Sequence, residues 1–149
     1  QIMFASSAPE LPLKFKNSLT NILATKEFVV NFATSITRKQ MNLSSLDVPK
    51  DQDEFMITNL KKRKSKLVKA PSLASSPVSL ECKLLKTLKL KSNSKRYTTM
   101  IIGEVIGIYI KDNFVKNGRV DSVAMRYVAR MGYSEYTTVS SKFKMKRPD

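Results

Sequence analysis

The chain has 149 residues, is 42% hydrophobic and 26% charged, and carries a net charge of +15. That length and balance suit one domain, residues 1–149, with a real core, and argue against disorder. With no histidine and one cysteine, Cys82, the chain offers no histidine-based triad, no ordinary zinc ligand set and no intrachain disulfide.

Any catalysis must therefore borrow its chemistry from a cofactor. No apolar run approaches the length that crosses a bilayer, so no membrane association is expected. The first residues lack the basic-then-apolar pattern of a secretory signal. The lone cysteine fits a reducing compartment, and the cytoplasm is the expected location. The positive charge admits nucleic acid, an anionic surface or a phosphate-bearing ligand as partner. The lysines are spread along the chain without the interleaved aromatics of single-strand binders, which reads against nucleic acid.

The chain opens in a short apolar strand, Ile2-Met3-Phe4-Ala5, that runs into Ser6 and Ser7 and then Pro9 and Pro12. Such a start has the look of a cut through a buried strand. A helix follows, with Asn17 or Ser18 as its cap and Leu19, Ile22 and Leu23 on one apolar face. Lys14, Lys16, Asn17, Ser18 and Thr20 converge on the helix start, where free N–H groups favour an anion. Phe28 to Ala33, apolar except at Asn31, reads as a strand covered on both faces. A weak second helix is expected from Thr34 or Ser35 through Met41. Residues 44–57 then read as a solvated loop with the acids Asp51, Asp53 and Glu54.

Lys61 to Lys69 is a basic run without an acid, read as an exposed connection. Val78, Leu80, Cys82 and Leu84 alternate with polar residues as a half-buried strand, with Cys82 in the core. After a turn at Ser92 to Arg96, Thr98 to Ile110 forms the second strand of a hairpin. Gly103 and Gly107 mark a bulge, a tight bend or a close approach. Asn117-Gly118 is a turn. Asp121 is expected to cap a helix running through Met131, with Gly132 as its stop, and Phe143 and Met145 alternate with lysines in a last edge strand. The order suits a mainly β fold, a small antiparallel barrel with peripheral helices.

Several stretches also match a known family in order. They are Ile2 to Ser7, Lys16-Asn17-Ser18-Leu19 through Asn31, Met41 to Ser45, Asp53-Glu54-Phe55, Ser76 to Cys82, Ile102-Gly103-Glu104-Val105, Gly118 to Asp121, and Ala129 to Gly132. On these the chain resembles the flavin reductase-like, FMN-binding split-barrel proteins of the flavoredoxin and nitrilotriacetate monooxygenase component B type. The resemblance implies a homodimeric split β-barrel that binds FMN and takes hydride from NADH or NADPH. Many such proteins pass reduced flavin to a monooxygenase partner.

The resemblance places phosphate and ribityl contacts at Ser6, Ser7, Lys16, Asn17 and Ser18. Asn17 stands where the family usually has an acid, and Ser18 where threonine is common. Tyr109 stands where many relatives have histidine; it is implied to line the flavin ring. Tyr133 follows Gly132 where relatives often have a second glycine. Strands that precede the equivalent of Ile2 in relatives are missing, which implies an N-terminally incomplete barrel. The alternatives are an FMN binder without efficient reductase activity and, further off, a basic nucleic-acid-binding protein whose affinity would fall steeply with salt.

Overall fold

The computed structural model describes residues 1–9, 16–49, 51–91 and 96–148, except the side chain of Pro9. Its elements in chain order are β1 (Ile2–Pro9), α1 (Asn17–Thr25), β2 (Glu27–Asn31), α2 (Arg38–Leu43) and α3 (Glu54–Thr58). Then come β3 (Lys62–Arg63), β4 (Ser72–Leu73), β5 (Val78–Leu90), β6 (Arg96–Ile110), β7 (Val115–Lys116), β8 (Arg119–Val120), β9 (Val128–Gly132) and β10 (Glu135–Thr138). The main sheet is antiparallel with strand order β1-β6-β5-β2, and each remaining strand pair forms its own small ribbon.

The β5–β6 hairpin is the spine. Its inner end pairs β5 with β2, and its outer end pairs β6 with β1. Side chains of paired residues lie on the same face of a sheet. One face therefore carries Phe4 with Ile101, and Phe28 with Cys82 and Val105. α1 covers this face with Leu19 and Ile22, and Cys82 and Ile101 are fully buried in the resulting core. Burying each such side chain contributes roughly 1.5–3 kcal/mol. Phe4 meets Phe28 edge to face at 5.6 Å between ring centroids. The expected core position of Cys82 and the hairpin are both observed.

Two bulges interrupt the hairpin. Leu85 has no partner between the pairs Leu84–Gly103 and Lys86–Ile102, and Ile106 has none between Val105–Cys82 and Gly107–Glu81.

The opposite face of the inner sheet is covered by the chain from β3 to β4. The Glu81 carboxylate accepts N–H bonds from Lys66 (3.0 Å) and Leu67 (2.6 Å) and pins that segment to β5. The basic run is thus no free connection: its lysines reach outward from a backbone tied down at Glu81.

Other expectations are corrected. The cap position of α1 is Lys16, with no side-chain cap, while the Asn17 amide turns away and donates to the Val48 carbonyl at 3.2 Å. The second helix starts later, at Arg38, because Thr34 and Thr37 bond to one another in a turn. In the acidic loop, Asp53 accepts from the Phe55 N–H and starts α3.

The helix expected after Asp121 does not form. Asp121 accepts from Ala124 N–H at 3.2 Å, but that turn is cut short by the left-handed Arg126 (φ 50°). Tyr127 then packs edge to face on Phe32, and the chain continues extended as β9. Gly132 (φ 121°) and Tyr133 (φ 47°) make the β9–β10 turn rather than a helix stop. No strand forms over 142–146, where Phe143 and Met145 are exposed. The expected turn at Ser92 to Arg96 falls mostly outside the described residues, as do Lys14 and Pro12.

Candidate functional site

α1 begins without the usual side-chain acceptor. Its first turn holds no acid, and the Asn17 amide is engaged elsewhere. A helix start of this kind presents backbone N–H groups to an anion. Lys16 adds a cation there and pairs with Asp47, and Ser18 is exposed beside it.

Ser6 and Ser7, adjacent in β1, point to opposite faces. Ser6 pairs with Thr99 in β6, on the face that carries Phe4, Ile101 and α1. Ser7 pairs with Thr98 on the other face, where the two hydroxyls hydrogen-bond at 2.8 Å. Thus Ser6, but not Ser7, shares a face with the helix whose start carries Lys16, Asn17 and Ser18.

Tyr109 is not brought to this group within one chain. It lies ten positions beyond Thr99 on β6, roughly 30 Å of strand at about 3.3 Å per residue. Its ring is instead stacked against the Arg63 guanidinium, whose central carbon is 3.4 Å from the ring centroid. Arg63 Nε donates to Ser72 Oγ (2.9 Å) and Nη2 to Ser79 Oγ (3.0 Å). Ser79 in turn donates to Asn31 Oδ1 (2.8 Å), which also accepts from Leu73 N–H (2.9 Å). Arg63 Nη1 is buried with no partner among the described residues.

Sequence reasoning missed this cluster because Arg63 is one of several cations in a row. The usable signal was Asn31, the single polar residue in an apolar strand. A cavity of about 270 Å³ opens beside Asn31 and Leu73, walled by α2 and α3 through Thr37, Met41, Phe55 and Thr58. Among the described residues, no group of three or more Cys, Asp or Glu could hold a metal ion. No helix there is long and apolar enough to cross a membrane.

Residues 5–130 match the family model described as a flavin reductase like domain. An uncharacterized protein of Deinococcus radiodurans is 30% identical over 136 residues, covering 89% of this chain and 58% of the relative. The chain thus spans rather more than half the length of that relative. Among solved structures, nitrilotriacetate monooxygenase component B from Bacillus cereus is similar with a TM-score of 0.83 at 17% identity, covering 96% of this chain and 71% of that one. Flavoredoxin of Desulfovibrio vulgaris is similar with a TM-score of 0.76 at 18% identity, covering 97% and 73%. The mainly β architecture with peripheral helices is that of these flavin reductase split barrels.

Proposed function

Because the chain belongs to the flavin reductase-like family, we propose that it binds FMN and transfers hydride to it from NADH or NADPH. The observation that carries this reading is the start of α1, whose cap residue gives no side-chain bond and whose first turn holds no acid, on the helix that covers the sheet face of Ser6, with Asp47 paired to Lys16 beside it. Those groups fit a phosphate monoester: the backbone N–H donors of a helix start, the Ser18 and Ser6 hydroxyls, and the cation of Lys16. When bound, FMN supplies the two-electron acceptor that a chain with no histidine and one buried cysteine lacks. The task of this chain's residues is then to bind and orient. Lys16, Asn17 and Ser18 belong to the phosphate end, with Ser6 across from them. Hydride transfer itself requires no proton-transferring side chain, which accords with the residues present.

One observation favours the second reading, an FMN binder without efficient reductase activity. Tyr109, implied to line the ring, has a face covered by Arg63 and is held in a hydrogen-bonded cluster of its own. Homodimerisation is part of the proposal and is supported by Ile108 of β6, which is 65% exposed on the face that holds the core. Delivery of reduced flavin to a monooxygenase, and a cytoplasmic location, complete it. They are supported by likeness to a protein named as one component of a monooxygenase, and by the single unpaired cysteine.

The test is an FMN titration followed by flavin fluorescence, then nicotinamide oxidation by the loaded protein. Saturable quenching with oxidation of NADH or NADPH is expected. Quenching without turnover selects the second reading, and no quenching overturns both.

A further inference from the structure

The hydroxyl groups that line the cavity between β2, α2 and α3 are spent on the protein itself. Thr58 Oγ1 donates to the Glu54 carbonyl (2.7 Å), and Ser44 Oγ to the Met41 carbonyl (2.8 Å). The Thr37 hydroxyl stays within its turn, accepting from the Thr34 N–H at 3.1 Å. Asn31, which also lines the cavity, is the exception. Its Oδ1 takes two donors, the Leu73 N–H (2.9 Å) and the Ser79 hydroxyl (2.8 Å). A backbone N–H can only donate, so these bonds fix which way round the amide sits. Its Nδ2 bonds to no described residue and, unlike Arg63 Nη1, is not sealed from solvent. The cavity therefore has one unspent amide donor, held in place by two bonds at the other end of the same group.

We infer that this cavity binds a neutral, single-ring aromatic molecule bearing a hydrogen-bond acceptor such as a ketone oxygen, which Asn31 Nδ2 receives. The other walls are apolar: Ala33, Met41, Phe55, Leu60 and Leu73. The Phe55 ring is steadied by Lys62, whose ammonium lies 5.1 Å from its centroid and pairs with Asp53. Phe55 offers a ring to stack on, and Met41 a thioether that adapts to the shape beside it. A volume of about 270 Å³ exceeds the roughly 150 Å³ that encloses benzene, which leaves room for a substituent. Among the described residues no lysine or arginine lines the cavity, and its one charged side chain is the exposed acid Glu54. A carboxylate or phosphate would shed its hydration there and meet no cation. That charge preference is the opposite of the one at the start of α1, so the two places take different ligands.

The experiment titrates acetophenone, ethylbenzene and benzoate into the full chain, into Asn31→Asp and into Ala33→Leu, followed by NMR of the Asn31 side-chain amide and the Met41, Leu60 and Leu73 methyls. In the parent chain acetophenone is expected to bind saturably and to move the Asn31 amide signals. Ethylbenzene should move the methyls and leave the amide in place, and benzoate should bind more weakly than acetophenone. Asn31→Asp keeps an oxygen for Leu73 and Ser79 and replaces only the free donor. It is expected to weaken acetophenone about tenfold, the loss of one hydrogen bond, with ethylbenzene unchanged. Ala33→Leu fills the cavity and should abolish binding of both with the far-UV circular dichroism intact. An acetophenone affinity untouched by Asn31→Asp, a preference for benzoate, or no saturable shift in the parent chain overturns the inference. Should Asn31→Asp fail to fold, the parent's amide signals decide: equal movement with ethylbenzene and acetophenone overturns it. FMN affinity should be the same in the parent chain and in Ala33→Leu, and its loss in Ala33→Leu would overturn the separation of the two sites.

Discussion

Gly103 shows how little room one atom has in this core. A Cβ at that position would lie 2.4 Å from Phe28 Cζ and 2.8 Å from Cε1. Phe28 is itself buried and braced by Phe4, so its ring has nowhere to turn. Gly103→Ala should lower stability by roughly 1–3 kcal/mol, read as a shift in the denaturant midpoint. At Gly107 the corresponding contact is the end of the Leu67 side chain at 2.9 Å, which can move, so Gly107→Ala should cost less. Cys82 behaves as a small hydrophobe: burial pushes its thiol above the ordinary value of 9.0. The fold therefore favours the protonated form. Its contribution to stability is whole below about pH 9 and is lost as pH rises beyond it, because the unfolded chain ionises first. Native protein should resist thiol reagents at pH 8, and denatured protein should label fully; labelling of the native chain at the unfolded rate would contradict this burial. Asp53 has the reverse sign. Its bond to Lys62 and its acceptance from Phe55 N–H lower its pKa, so its contribution holds above about pH 3.8 and fades as acid is added.

Among elements, the segment from β3 to β4 depends most on distant partners. Two backbone N–H groups bind the Glu81 carboxylate, and Arg63 is held by Ser72, Ser79 and the Tyr109 ring. Glu81→Ala should cost roughly 2–3 kcal/mol. It should also open Lys64 and Lys66 to trypsin well before the sheet unfolds, whereas cleavage at the parental rate would show that the tether is dispensable. None of this was visible in the row of lysines, because their attachment is made by a carboxylate fifteen residues away. The sheet was legible for the opposite reason. Val78 to Leu84 alternate strictly, and Phe28 to Val30 are apolar throughout, so the strands themselves were plain; the half-buried character expected of Val78 to Leu84 was not, because the β3–β4 segment also covers the polar face and buries Ser79 and Glu81. The stretch after Asp121 misled through an equally regular pattern. Apolar spacing that suits a helix also suits a strand once Tyr127 is drawn onto Phe32 and Arg126 adopts a left-handed conformation. Half of the candidate site was similarly legible. Ser6 lies on the sheet face that α1 covers, in keeping with what the resemblance implied, but the alternation that sends Ser7 to the other side appears only once the strand's partners are known.

For the molecule as a whole, charge and apolar exposure pull toward different partners. A net charge of +15 should raise association rates with anionic ligands at low salt and lose that advantage as salt screens it. FMN bound through one end should weaken only modestly with salt, unlike a polyanion held by many contacts. The apolar exposure points instead to self-association. Ile108 on β6 stands out from the core face beyond the reach of α1, next to Val30 and Leu80 in the same row. Ile108→Glu should shift the sedimenting species toward monomer while leaving the far-UV circular dichroism unchanged. A mass that does not respond to this change would move the dimer contact elsewhere.

The unpaired Leu85 has a consequence for how this hairpin tolerates altered length. Since the ladder resumes at Lys86 opposite Ile102, residue 85 contributes to no pair. Removing it would close the ladder without turning any later side chain over. The outer arm can thus lose a residue at this one place and keep its two surfaces distinct, a slip joint between the body of the hairpin and its tip.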